Sequence, residues 1–79
     1  MTIQLYYFAL LQDQRGLADE QLEIEAQTVN QLYASLVAQH GFTLKPDALR
    51  VSVNEQFVPW DTELGDGDEV VFIPPVSGG

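Results

Sequence analysis

The segments IQLYYFAL at residues 3–10 and EVVFI at residues 69–73 are the most apolar in this chain. Both are rich in the β-branched and aromatic residues that favour strands. Strands with apolar side chains on both faces are typical of the centre of a sheet, so we place these two side by side. These two strands lie at opposite ends of the chain, so the connection between them is long enough to contain a helix. Such a crossover connection joins neighbouring strands in parallel orientation.

The residues between these segments predict three further strands. Residues 21–26 (QLEIEA) alternate polar and apolar, which predicts a half-buried strand paired with the first as a hairpin over a polar loop at residues 11–20. Residues 49–53 (LRVSV) also alternate, and the Asn54-Glu55 pair predicts a tight turn into a short strand at residues 57–58.

One helix is predicted over Val29–His40. Thr28 and Gln31 have the spacing of a capping box, and apolar residues recur at i, i+3, i+4, i+7 and i+8. Gly41 fits the position that closes the last turn. The far side of the helix is polar, so the helix covers one sheet face and nothing covers the helix. The expected fold class is α+β, a β-grasp arrangement with a mixed four- to five-stranded sheet and one main helix on one face.

The chain ends in an unusual tail, PPVSGG, which consists of Pro74, Pro75, Val76, Ser77, Gly78 and Gly79. Proline cannot donate a ladder hydrogen bond and holds φ near the polyproline value, so the chain is expected to leave the sheet extended. Two glycines then place the terminal carboxylate on the slimmest backbone available. We therefore divide the chain into a β-grasp domain at residues 1–73 and an extended tail at residues 74–79. The alternative is an ordinary frayed end.

Surplus apolar residues are expected on the sheet face that points away from the helix. If the alternate residues of the two central strands face the helix, then Tyr6, Phe8, Val71 and Ile73 face away from it, where no second layer exists, and Phe57 joins them. Such an area beside the start of the tail has the character of a docking surface. We predict a partner-binding patch of Phe8, Phe57, Val71 and Ile73; the alternative is a curled sheet whose loops cover this face.

Composition excludes several classes of function. The 79 residues make one domain, and without cysteine they can form neither a disulfide nor a thiolate metal site. Twelve acidic residues against three basic ones give a net charge of -9, which repels nucleic acid and anionic membrane surfaces and favours a basic partner. With no apolar run long enough to cross a bilayer and no signal segment, the expected location is cytoplasmic.

Residue types that often serve catalysis lack the necessary companions here. His40 is better explained as a helix-terminal residue than as a base, and Ser77 has no nucleophile elbow. The acidic stretch at residues 66–69 lacks the spacing of a calcium loop and predicts a turn. No metal site and no bound cofactor are expected.

The opening strand, the Val53-Asn54 turn, LGDGDEV at residues 64–70 and the terminal PPVSGG together resemble the ubiquitin-like sulfur-carrier family, in particular its molybdopterin synthase small-subunit branch. The resemblance covers the whole chain. Members often have a basic residue and a glutamate after the first strand, where this chain has LLQDQR at residues 10–15, so no function is assigned to that loop.

The resemblance implies a non-catalytic carrier whose reactive group is its own C-terminus. An adenylyltransferase similar to ubiquitin-activating enzymes would use ATP to adenylate Gly79, and a persulfide sulfur donor would convert it to a thiocarboxylate. The tail, Pro74 to Gly78, would thread into the large catalytic subunit of a heterotetrameric synthase. There the sulfur would attack a pyranopterin precursor and build the dithiolene of molybdopterin.

Three other functions are compatible with the same residues. A sulfur carrier for thiamine thiazole synthesis would share the fold and the terminal chemistry, although that family more often lacks the double proline. A ubiquitin-like modifier would join Gly79 to a target lysine, and an interaction-only β-grasp domain would have an inert tail.

Overall fold

A computed structural model describes residues 1–25 and 27–74. Its elements in chain order are β1 (Thr2–Tyr7), α1 (Leu10–Arg15), β2 (Asp19–Glu23), α2 (Val29–His40), a 3-10 turn (Pro46–Ala48), β3 (Arg50–Val53), β4 (Gln56–Phe57) and β5 (Glu69–Ile73). The five strands form one sheet in the order β2-β1-β5-β3-β4. This is the β-grasp arrangement expected from the sequence.

The centre of the sheet is the parallel pair of β1 and β5, as predicted. Leu5 lies beside Val70, and Tyr7 lies beside Phe72. These four side chains and that of Ile3 are buried. β2 pairs antiparallel with β1, and β3 pairs antiparallel with β5, so both central strands are hydrogen-bonded on both edges.

Helix α2 begins and ends where the sequence predicts. The Thr28 hydroxyl accepts a hydrogen bond from the Gln31 amide at 3.2 Å, and the Gln31 side chain accepts one from the Thr28 amide at 2.9 Å, which completes the capping box. Gly41 adopts the left-handed conformation and its amide donates to the Val37 carbonyl. Loop carbonyls at Trp60 and Thr62 accept hydrogen bonds from the first amides of the helix.

A group of aromatic rings joins the helix to the sheet. The Tyr33 ring centroid lies 5.1 Å from that of Phe72, 5.5 Å from that of Trp60 and 6.1 Å from that of Phe42. Phe42 also packs edge-on against Tyr7 at 5.8 Å. Such pairs stabilise by roughly 0.5–1.5 kcal/mol beyond the area that they bury. Phe42 and Trp60 had no expected place in the core, because each stands alone in an irregular segment.

The expectation for residues 3–20 was wrong in two respects. The first strand ends at Tyr7 and not at Leu10, and the expected polar loop at residues 11–20 contains α1 and the first residues of β2. Ala9 has a positive φ of 51°, which takes the chain out of the sheet, and Leu11 is completely buried. A helix of six residues with one buried side chain leaves no periodic pattern in the sequence, so only its tertiary contact stabilises it.

The other strand boundaries shift by a residue or more. β3 begins at Arg50 and not at Leu49, β4 is Gln56–Phe57 and not residues 57–58, and β2 ends at Glu23. Ala26, the last residue of the expected second strand, lies outside the described residues. The turn at Asn54 and Glu55 is confirmed, and both residues have a positive φ, as a two-residue hairpin of type I′ requires.

The acidic stretch before β5 is a turn, as predicted, and its carboxylates bind backbone amides. Asp68 accepts a hydrogen bond from the Gly65 amide at 2.7 Å and one from the Asn54 side chain at 2.9 Å. Asp66 accepts one from the Thr2 amide at 2.7 Å. The turn therefore fixes the start of β5 against β1 and the β3–β4 hairpin.

A polar cluster joins β1, α1 and β2. The buried Tyr7 hydroxyl donates to Glu20 at 2.7 Å, and the Arg15 guanidinium binds the same carboxylate through Nε at 2.8 Å and Nη2 at 2.9 Å. These hydrogen bonds, from Arg15 above all, lower the pKa of the Glu20 carboxyl. Burial and the neighbouring carboxylate raise the pKa of the Tyr7 phenol. The cluster holds α1 against the end of β1 that lies beside Phe72.

We expect Tyr7→Phe to lower the free energy of unfolding by roughly 1.5–3 kcal/mol, because it removes a buried hydrogen bond to a charged acceptor. The neighbouring Tyr6→Phe is the matched control, since Tyr6 lies on the other sheet face and is partly exposed. Urea denaturation of both variants measures the difference. Equal stability of the two variants would contradict the role given to the Tyr7 hydroxyl.

The Arg15–Glu20 pair predicts a pH dependence of stability. The pKa of Glu20 is lowered in the folded protein, so its contribution is complete above the unfolded-state pKa of a glutamate, about 4.3, and is lost as the pH falls through the folded-state pKa. The gap between the melting temperatures of wild type and Glu20→Gln should therefore be constant well above about pH 4.3 and should close as the pH falls below that value. Glu25→Gln, at an exposed position, controls for the lost charge. A constant gap at all pH values would refute the assignment.

Candidate functional site: the open sheet face and the start of the tail

The sheet face opposite α2 presents a row of side chains from four strands. The register places Tyr6 beside Val71, Val71 beside Ser52, and Ser52 beside Phe57. Phe57 is 65% exposed, and Tyr6, Val71 and Ile73 are half-buried. Ser52, which lies between Val71 and Phe57, is buried, so this face is exposed only in part within residues 1–25 and 27–74. We call it the open face.

Phe8 does not lie within a strand, as the expected long first strand would have placed it. It follows the last residue of β1 and is 51% exposed. Because Tyr7 lies beside Phe72, Phe8 still lies at the end of the sheet where Ile73 ends β5. Leu10 and Leu17, each 42% exposed, follow nearby in the chain. These two exposed leucines were not predicted as part of the apolar surface, although their position in an otherwise polar segment was a signal for it.

The start of the tail lies at the same end of the sheet. β5 ends at Ile73, as predicted for the last strand, and the half-buried Pro74 follows it. The predictions for Pro75, Val76, Ser77, Gly78 and Gly79 concern residues outside the described part of the chain. A groove of about 430 Å³ reaches Pro74 and lies between Phe57 and Ile73.

Charge on the open face is distributed unevenly. Arg50 lies beside Ile73 in the register, borders the groove, and places its guanidinium carbon 5.6 Å from the centre of the Phe57 ring. The part of the face farthest from the tail has Gln21 on β2 and Glu69 on β5, which flank Gln4. An apolar area with one cation therefore borders the tail, and a polar area lies beyond it.

In residues 1–25 and 27–74, no group of three or more histidine and carboxylate side chains is placed to hold a metal ion. No helix in that part of the chain has the length and apolar character needed to cross a membrane.

Comparison with known proteins decides the family. The model of the ThiS family matches residues 5–79, which include the C-terminal tail and all of the sheet except the first residues of β1. The chain belongs to the ThiS family. The molybdopterin synthase sulfur carrier subunit of Escherichia coli K12 is 34% identical to it over an alignment of 80 positions that covers 98% of this chain and 99% of that relative. The resemblance inferred from the terminal motifs is thereby confirmed.

Solved structures agree with the fold. SAMP1 from Haloferax volcanii has a TM-score of 0.82 at 25% identity, with complete coverage of both chains. A candidate molybdopterin converting factor subunit 1 from Pyrococcus furiosus has a TM-score of 0.80 at 29% identity, over 96% of this chain and 99% of that chain. A complex of subunits 1 and 2 of the molybdopterin-converting factor from Helicobacter pylori 26695 contains a chain with a TM-score of 0.68 at 24% identity and complete coverage of both chains, which shows the fold alone.

Proposed function

We propose that this ThiS-family chain is the sulfur-carrier subunit of a molybdopterin synthase and that Gly79 is the residue that holds the sulfur. The observation that supports this most is the full-length similarity to the E. coli carrier subunit. The position of the tail is compatible with it, since β5 ends at Ile73 and leaves six residues for the expected extension. The five residues after Pro74 can span at most about 17 Å when fully extended.

The chemistry begins with activation of a poor electrophile. The Gly79 carboxylate attacks the α-phosphate of ATP on a separate adenylyltransferase, which gives the acyl-adenylate and pyrophosphate. The terminal sulfur of a donor persulfide attacks the acyl carbon and expels AMP, which leaves an acyl disulfide. A thiol then attacks the donor's sulfur, so that a disulfide leaves and the Gly79 thiocarboxylate remains.

The thiocarboxylate sulfur is the nucleophile of the next step. Its polarisable anion forms a carbon–sulfur bond to the pyranopterin precursor in the active site of the large subunit, and an oxygen leaving group departs from the attacked carbon. Water then cleaves the acyl–sulfur bond, which returns the Gly79 carboxylate and leaves the sulfur on the pterin as a thiolate. Two such cycles supply the two sulfur atoms of the dithiolene. The large subunit provides the catalytic groups, while the tail provides proximity. A Cβ at Gly78 or Gly79 would collide with a channel shaped for bare backbone.

The partner surface that we propose is the apolar area around the start of the tail. Phe8, Phe57 and Ile73 lie at or beside this end of the sheet, and Val71 extends the area along the open face. A large subunit that covers this area would receive the tail at the same time, in a heterotetramer of two small and two large subunits. The name of the E. coli relative, a subunit of a synthase, supports a partner of this kind.

The other functions make different predictions for the mass of the protein from its native host. A gain equal to the replacement of one oxygen by sulfur supports a carrier, and covalent adducts with other proteins support a modifier. Co-purification with the large synthase subunit separates the molybdopterin pathway from the thiazole pathway. An unmodified terminus under sulfur-replete conditions would overturn the proposal.

Deletion of Gly79 should abolish sulfur transfer and leave folding intact, because it removes the proposed acceptor carboxylate without touching the domain. Ser77→Ala is the matched control in the same tail, since it leaves both terminal glycines in place. A reconstituted assay with the activating enzyme, a sulfur donor and the large subunit measures the transfer. Full activity of the shortened chain would be incompatible with the proposal.

Phe8→Asp and Ile73→Asp should each weaken binding of the large subunit by roughly tenfold or more, since a carboxylate would be desolvated in an apolar contact. Asn30→Asp adds the same charge at an exposed position on α2, on the other side of the sheet, and should bind like wild type. Calorimetric titration gives the affinities, and circular dichroism checks folding. Loss of the folded state in either patch variant would show that its side chain belongs to the core.

A further inference from the structure

Arg50 is an unusual residue for its position. The chain has only three basic residues, and one of them, Arg15, is paired with Glu20. Lys45 precedes the 3-10 turn. Among the residues that the structure describes, Arg50 is the one basic side chain that the strand register places on the open face. It is exposed, and it borders the groove at the start of the tail.

The Phe57 ring holds the Arg50 guanidinium in place. The carbon of the guanidinium lies 5.6 Å from the ring centre, within the distance of a cation–π contact. Stacking of this kind occupies a face of the guanidinium and leaves its planar N–H edges available, and these edges match a carboxylate in a two-point contact. Asp47 borders the same groove but does not form an ion pair with Arg50. The one ion pair in residues 1–25 and 27–74 is Arg15–Glu20.

A partner that covers Phe57 and Ile73 must also cover Arg50, because Arg50 lies over the first and beside the second. Removal of water from an unpaired guanidinium is costly, and the cost is offset only by an oppositely charged partner with good hydrogen-bond geometry. The chain as a whole, at a net charge of -9, favours a basic partner surface, which would repel Arg50. The partner surface, although basic as a whole, must therefore carry an acidic group where it covers Arg50.

We infer that Arg50 is a specificity-determining residue that binds an aspartate or glutamate side chain of the large synthase subunit beside the start of the tail. This inference rests on the proposed function, since it names that subunit as the partner. A carboxylate at this point fixes the orientation of the two proteins, because a rotated complex would place Arg50 against basic surface. It thereby aligns the tail with its channel.

The test compares Arg50→Met with Lys45→Met in binding to the purified large subunit from the same organism. Each variant loses one positive charge, and methionine keeps an unbranched apolar side chain over Phe57. We expect Arg50→Met to weaken binding about 30-fold or more, as expected when one member of a desolvated ion pair is removed. Lys45→Met should stay within about threefold of wild type, as is usual for an exposed charge. Thermal unfolding checks that both variants fold.

Charge reversal identifies the partner residue. Arg50→Glu should abolish measurable binding, and a scan of Asp→Arg and Glu→Arg variants of the large subunit should contain one that restores it. Equal binding by Arg50→Met and Lys45→Met, or a scan in which no variant restores binding, would overturn the inference and leave the proposed function intact. Failure of the wild-type chain to bind the large subunit would overturn both.

Discussion

The parallel pairing of β1 with β5 is the constraint on which the other features depend. It joins the two ends of the chain, so every other element belongs to the crossover between them or is attached to an edge of the central pair. Its inner side chains are completely buried, and Tyr33 on α2 packs on Phe72 at 5.1 Å. Since the side chains of a strand alternate, burial of Tyr7 and Phe72 beneath the helix directs Tyr6, Val71 and Ile73 to the open face.

The same pairing sets the position of the tail. Because β5 is central, its C-terminal end lies between β1 and β3, and residues from both neighbours surround the place where the chain leaves the sheet. β1 ends there with Phe8 close by, and β3 begins there with Arg50. A terminus on an edge strand would have neighbours on one side only. Apolar contact area, a single cation and a slim C-terminal segment are thus combined at one end of a domain of 79 residues.

Electrostatics and packing act over different ranges in this chain. The net charge of -9 influences approach to any partner and is screened by salt over roughly 10 Å. Contacts of Arg50 and Phe57 act only after water has been removed from them. The acidic turn contributes to structure as well as to charge, since Asp66 and Asp68 accept hydrogen bonds from the backbone amides of Thr2 and Gly65. Acidity in this chain therefore has a folding role beside any role in recognition.

The features that depend on short-range chemistry could be predicted from the sequence alone. The capping box at Thr28, the left-handed Gly41, the bounds of β5 and the parallel central pair all follow from spacings of a few residues or from the distribution of apolar segments, and the terminal motifs identify the family. Other features depend on tertiary contacts and are seen only in the structure. These are the end of β1, the helix at residues 10–15 and the packing of Phe42 and Trp60 with the core. The position of Arg50 over Phe57 and the hydrogen bond between Tyr7 and Glu20 belong to the same group. These contacts join residues 7 to 35 positions apart, and their energies depend on register and burial, which no local pattern contains.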